Sequence, residues 1–256
     1  MRVVLFISIL LLQTAILAGQ DLKPFQQIQV QITPWQHIPA LLKLPDNMKS
    51  GKRYPLLICL HGKSIAGNDI TKIFRQGVAK QMHEGKNIDA VNKVDGKKYE
   101  FIVMAPLATS WSLGPADLDV ALTDMLKRYP IDSSRIYITG YSAGGWSVGM
   151  AVTDKKLAKR VAAAVNMSPA MIDSQNLNSF NITAENNIHV WYFAGTEELH
   201  FLENCKLFAS NTDKQKPGLT KLTVGDHKHC CWEQYYTPTY RENGMNIYEW
   251  LLQYKR

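Results

Sequence analysis

The sequence predicts an α/β protein with a mostly parallel central sheet and helices on both of its faces. Three observations carry that prediction. Short apolar runs alternate with amphipathic stretches along most of the 256 residues, and strands separated by helices imply crossovers between parallel neighbours. One run, YPLLICL (54–60), is apolar on both faces, as a strand covered by helices must be. A G-x-S-x-G pentapeptide, Gly140 to Gly144 around Ser142, stands between the strand-like RIYIT and the helix-like AGGWSVGMAV.

Each element follows in order. QIQVQI (27–32) alternates polar and apolar residues and reads as a half-exposed strand. ALLKLP and YPLLICL are the next two strands. NDITKIFRQGVAKQMHEG (68–85) places Ile70, Ile73, Phe74, Gly77 and Gln81 at helical spacing, with Asn68 or Asp69 as cap. FIVMAP is a short strand closed by Pro106. GPADLDVALTDMLKRYP then puts Leu118, Ala121, Leu122, Met125, Leu126 and Tyr129 on one stripe, which predicts an amphipathic helix ended by Pro130. RIYIT is a strand and AGGWSVGMAV a helix. AAAVN, HVWYF and TKLTV are three later strands, and MNIYEWLLQY is a closing helix with Ile247, Trp250, Leu251 and Tyr254 on its stripe. The polar stretch 171–187 is the longest irregular segment, too short for a separate cap domain.

The N-terminus is read separately. Arg2 precedes the apolar run VVLFISILLLQTAILA (3–18), and small residues then give way to polar sequence. This predicts a signal peptide at 1–19, cleaved near Ala18 or Gly19, followed by one domain at 20–256 in a secreted or periplasmic protein. The run is shorter than the roughly 20 residues of a membrane span, so stable insertion after cleavage is not expected. Net charge is +7, one less without Arg2, and it is spread over lysine-rich surface stretches such as KVDGKK. No basic helix with interleaved aromatics is present, which argues against nucleic acid as a partner. Of the four cysteines, Cys59 lies in an apolar strand and reads as a core thiol. Export permits a disulfide, and Cys205 with Cys230 or Cys231 is the candidate bridge. No C-x-x-C pattern indicates structural zinc.

A nucleophilic serine needs its hydroxyl lifted clear of the backbone, and a sharp strand-to-helix turn does this. Glycines two positions either side of Ser142 remove side chains that would strike the adjoining strand and helix. The turn falls at the carboxyl end of a predicted parallel strand, where open α/β sheets bind ligands. Ser142 is therefore the candidate nucleophile.

RIYITGYSAGG, preceded by KRYPID, together with LLICLHGKSIAGND upstream, resembles the α/β-hydrolase superfamily. More closely, the pattern is similar to its secreted polyhydroxybutyrate-depolymerase and feruloyl-esterase-like branch, which is related to the prolyl oligopeptidase catalytic domain. The likeness runs from about Tyr54 to Trp250. It implies the α/β-hydrolase fold without a large cap, and a serine, an acid and a histidine acting in that chain order with no metal or organic cofactor. In VGDHKHCCWEQYY, the family's histidine-to-tryptophan spacing picks His229, three residues before Trp232 and ahead of Tyr235 and Tyr236; His227 does not fit that frame. The acid is expected after HVWYF, where the family shows H-G-x-x-D. Here AGTEELH puts Ala194 in the histidine position and Glu198 in the acid slot, with Glu197 and then Asp226 as alternatives. The implied oxyanion donors are the backbone N–H groups of Ala143 and of Lys63, in HGKS. Ser64 replaces the second glycine of that family pattern, and His61 reads as a structural residue of the loop.

Trp111, on the loop after FIVMA, is expected at the same end of the sheet as Ser142 and is a candidate substrate-binding residue, or an ordinary buried tryptophan. NMSP (166–169) shares that end. The resemblance implies a serine carboxylic ester hydrolase, and the leader suggests esters on external polymers such as acylated polysaccharides. Two alternatives stand beside it: a serine peptidase for short peptides, and a non-catalytic binding module, suggested by the altered acid loop.

Overall fold

The computed structural model describes residues 21–256. The predicted signal peptide at 1–19 lies outside the described residues. Eight strands form one sheet: β1 (Gln26–Gln31), β2 (His37–Lys43), β3 (Tyr54–Leu60), β4 (Ile102–Pro106), β5 (Ile131–Tyr141), β6 (Ala163–Met167), β7 (His189–Gly195) and β8 (Thr220–Gly225). Their spatial order is β1-β2-β4-β3-β5-β6-β7-β8. The β1–β2 and β2–β4 pairs are antiparallel, and every later neighbour pair is parallel. The order reverses around β3 and β4, so the loops leaving β3 and β4 lie to one side of β5 and those leaving β7 and β8 to the other.

Among the described residues the α-helices are α1 (Gly77–His83), α2 (Pro115–Arg128), α3 (Ala143–Val152), α4 (Ser174–Leu177), α5 (Phe180–Glu185), α6 (Leu199–Gln215), α7 (Glu233–Tyr236) and α8 (Ile247–Leu252). Strand alternation divides the core between two faces. Leu56, Ile58 and Leu60 of β3 join Leu118 and Leu122 of α2, Val148 of α3 and Phe208 of α6. Leu57 and Cys59 of the same strand join Val78 and Met82 of α1 and Tyr248, Trp250 and Leu251 of α8 on the opposite face. Full burial of each Leu or Phe contributes roughly 1.5–3 kcal/mol, so a strand apolar on both sides is stable only when both sides are covered. The α2 stripe is buried as its spacing predicts. At α8, Asn246 and Glu249 form a reciprocal capping box that starts the helix.

Two element predictions need correction, and one helix was not predicted. The helix expected over 68–85 is broken. A 3-10 segment spans Ile70–Arg75, capped by Asp69, and α1 starts anew at Gly77. Gln76 is extended and Gly77 takes a φ of +77°, which no helix continues through. Glycine suits this position twice over: its φ is left-handed, and a Cβ there would stand 3.1 Å from the Tyr141 ring. The stretch 171–187 is not irregular. It folds into α4 and α5, and α5 packs against α3 and α6. Helix α6 had no counterpart in the sequence reading. Its buried residues, Leu202, Asn204, Cys205, Phe208 and Thr212, mix polar with apolar types and blur the periodic signal.

Candidate active site

Ser142 occupies the single residue between β5 and α3, with φ 55° and ψ −116°. A non-glycine residue there costs on the order of 1–3 kcal/mol and persists only where its surroundings hold it. They do: its N–H donates to the Met167 carbonyl at 3.0 Å, and its own carbonyl accepts from Trp146 N–H at 2.9 Å and Ala170 N–H at 3.2 Å. A Cβ at Gly140 would lie 2.4 Å from the Gly144 carbonyl oxygen, and one at Gly144 would lie 2.1 Å from that of Leu60. The two glycines of the pentapeptide are therefore sterically required. The Ala143 N–H opens the first turn of α3, where helix geometry supplies no acceptor, and the helix dipole adds a partial positive charge.

The structure brings Ser142, His229 and Glu198 together from three loops. Ser142 Oγ lies 2.9 Å from His229 Nε2, and His229 Nδ1 lies 2.6 Å from Glu198 Oε2. The carboxylate can only accept, so Nδ1 carries the proton and Nε2 is left to accept from the serine hydroxyl. Glu198 is buried, and a buried carboxylate is stable only when fully partnered. Its Oε1 accepts from Gly195 N–H and from Ser168 Oγ–H, each at 2.5 Å. Trp232 Nε1–H donates in turn to Ser168 Oγ at 2.9 Å. Glu198 also stands at the N-cap position of α6 without a side-chain capping bond, and the positive end of that helix favours the anion. Phe201, one turn into that helix, stacks on the imidazole with centroids 3.6 Å apart, while Trp232 meets the ring edge-on at 5.0 Å.

The alternatives are placed elsewhere. Glu197 is exposed and faces Lys228 at 4.0 Å. Asp226 accepts from Thr196 Oγ1. His227 is turned inward, its Nε2 accepting from the Tyr235 hydroxyl at 2.9 Å and its Nδ1 donating to the Lys228 carbonyl at 2.7 Å. Sequence reasoning missed Ser168 and Phe201. NMSP was recognisable as a segment at the right end of the sheet, but nothing local marks Ser168 as an anchor for Glu198. Phe201 needed helix α6.

The Lys63 loop is organised by His61. Ala108 N–H donates to His61 Nε2 at 2.9 Å, which forces the ring proton onto Nδ1, and Nδ1 donates to the Gly62 carbonyl at 2.9 Å. Across a planar trans peptide the C=O and the following N–H point in opposite directions. Holding the Gly62 carbonyl toward His61 therefore sets the direction of the Lys63 N–H. Burial pushes the His61 pKa below 6.5, in keeping with this neutral role. Trp111 is partly exposed, and the Lys63 ammonium stands 5.7 Å from its ring centroid. The Trp111 loop is tied to α3, because Ser147 Oγ donates to the Leu113 carbonyl at 2.6 Å.

The expected bridge from Cys205 to the Cys230–Cys231 pair is corrected. Cys205 is a buried free thiol on the inner stripe of α6, 3.6 Å from the Phe193 carbonyl. Cys230 and Cys231 lie in the outer loop beyond β8 and are bonded to each other, beside His229. Cys59 is a buried free thiol, as its strand predicts. Among the described residues no group of three or more His, Cys, Asp or Glu could hold a metal ion, and no helix is long and apolar enough to cross a membrane.

Known proteins share this fold. A family model described as the prolyl oligopeptidase family matches residues 115–185, which include Ser142. No curated protein matches the chain. Among solved structures, a thermostable esterase is 21% identical with a TM-score of 0.68, covering 92% of this chain and 64% of its own. An S-formylglutathione hydrolase from Staphylococcus aureus is 14% identical with a TM-score of 0.59, covering 89% of this chain and 96% of its own. The acylaminoacyl peptidase of Pyrococcus horikoshii is 12% identical with a TM-score of 0.57, covering 89% of this chain and 44% of its own. The chain thus spans less than two thirds of the esterase and of the peptidase. The fold is that of the α/β-hydrolases, with no large cap among the described residues.

Proposed function

We propose that this α/β-hydrolase-fold chain is a serine hydrolase that cleaves carboxylic esters through an acyl-enzyme on Ser142. The observation that carries the reading is the continuous relay from Ser142 Oγ through His229 to Glu198, at 2.9 and 2.6 Å. His229 Nε2 takes the serine proton as Oγ attacks the ester carbonyl. Glu198 holds the correct tautomer and stabilises the imidazolium that forms. The Ala143 and Lys63 N–H groups are the proposed donors to the tetrahedral oxyanion. His229 then protonates the departing alcohol, and a water activated by the same ring hydrolyses the acyl-enzyme. Phe201 and Trp232 limit the tilt of the imidazole, so the base stays aligned through both steps.

The apolar run at 3–18, read as a signal peptide over 1–19, supports export, and a site without a large cap among the described residues suits bulky, polymer-linked esters. A peptidase is the second reading, supported by the prolyl oligopeptidase match over 115–185. A fluorophosphonate probe should label the wild-type protein and leave Ser142→Ala unlabelled. An acyl-ester panel assayed beside matched peptide amides decides between the two substrates. Cleavage of the amides at rates equal to the esters would overturn the ester assignment.

A further inference from the structure

The geometry points to a substrate preference, resting on the ester-hydrolase reading of Ser142: the acyl half of the substrate carries a negatively charged group, which the Lys63 side chain recognises beside Trp111. Three observations lead there. First, sheet order gives the site two chemically different sides. Ser142 leaves β5; His229 and Glu198 come from the loops after β8 and β7. Lys63 and Trp111 come from the loops after β3 and β4, across Ser142 from the histidine. The imidazole must protonate the leaving oxygen, so the alcohol lies toward β7 and β8, and the acyl group lies toward β3 and β4.

Second, the two sides differ in charge. On the acyl side the Lys63 ammonium is exposed and, among the described residues, has no carboxylate within ion-pair reach; its neighbour is the face of Trp111 at 5.7 Å. The ring holds the cation in place without neutralising it. On the alcohol side Lys228 is already opposed by Glu197, Asp226 adds a further carboxylate, and Leu199 and Phe201 are apolar. An anion is therefore favoured on one side and gains nothing on the other. Third, Lys63 is close to the reacting centre. The neighbouring Gly62 packs against the serine, its Cβ position lying 3.5 Å from Ser142 Cβ. The side chain of the proposed oxyanion donor thus starts one residue along the chain from backbone that packs beside the nucleophile, and Trp111 offers a flat apolar surface for the chain that links the scissile carbonyl to the anion.

The test uses 4-nitrophenyl esters that share one leaving group. One has an acyl chain ending in methyl, and the other has a chain of equal length ending in carboxylate. A third ester pairs the neutral acyl chain with a sulfonated phenol. At low salt the wild type should favour the carboxylate-ended ester about three- to fivefold in kcat/KM, the scale of one exposed charge pair. Added salt should erode that preference. The ratio should fall to about one in Lys63→Met and invert in Lys63→Glu. Trp111→Ala should lower it by loosening the perch of the ammonium. The sulfonated ester should show no gain. An equal ratio in wild type and Lys63→Met overturns the inference, as does a gain confined to the sulfonated ester. Loss of all ester cleavage together with absent fluorophosphonate labelling would instead sink the hydrolase reading itself, so the two failures are distinguishable.

Discussion

Glu198 and Glu197 are adjacent, chemically identical and differently placed. Only Glu198 turns inward, where Gly195 N–H, Ser168 Oγ–H and His229 Nδ1–H satisfy it. Glu198→Gln keeps the shape but presents an amide that competes for the wrong tautomer, and kcat is expected to fall about 10²–10⁴-fold. Glu197→Gln should stay within about twofold of wild type. Steady-state kinetics on one ester measures both, and equal losses would refute the assignment. His61 supports a second residue-level expectation. Its pKa is lowered in the folded state, so between that value and 6.5 the unfolded chain binds more protons than the native one. Stability from this residue is complete above pH 6.5 and declines as pH falls through that window. His189 is lowered by burial in the same direction. Thermal melts from pH 7.5 down to pH 5 should therefore show a smaller loss in His61→Gln than in wild type, not its abolition.

At the scale of elements, the nucleophile turn is braced from both faces of the sheet. Below Ser142, α3 supplies free N–H groups. Beside it, Tyr141 stacks on Trp232 at 4.8 Å, and its ring lies 3.1 Å from where a Cβ on Gly77 would stand. The break between the 3-10 segment and α1 is thus part of how the site is held. Gly77→Ala adds a Cβ to a φ of +77° and should cost about 1–2 kcal/mol from the left-handed conformation alone. Gly77→Asn should cost less in backbone terms, since asparagine tolerates that region, but the longer side chain meets Tyr141 as well. Chemical denaturation of both variants measures the difference; Gly77→Ala at wild-type stability would show that the turn tolerates other backbones. The capping box of α8 is a local pattern, Asn246 followed three residues later by Glu249, whereas the break at Gly77 adjoins Tyr141, sixty-four residues away, and no window of local periodicity contains both.

Across the whole molecule, the relay joins positions 87 and 31 residues apart, so it exists only once the parallel strands have paired. The same topology separates Cys205 from the outer loop and leaves Cys230 and Cys231 to pair with each other. Peptide mapping without reduction should recover Cys230 and Cys231 cross-linked in one peptide, with Cys59 and Cys205 alkylated as free thiols after unfolding. A Cys205 cross-link would contradict the arrangement. Much of this architecture is legible from the chain. Apolar period, proline stops and the G-x-S-x-G turn are local properties, set by the 3.6- and 2-residue repeats of backbone geometry and by steric exclusion at two glycines. Those local rules determined the alternating strands and helices and the serine between β5 and α3. Which glutamate enters the relay, that Ser168 anchors it, where α6 begins and which cysteines meet were decided only by tertiary packing. Each depends on direction and burial relative to groups dozens of residues away, and a sequence pattern carries neither until the sheet is assembled.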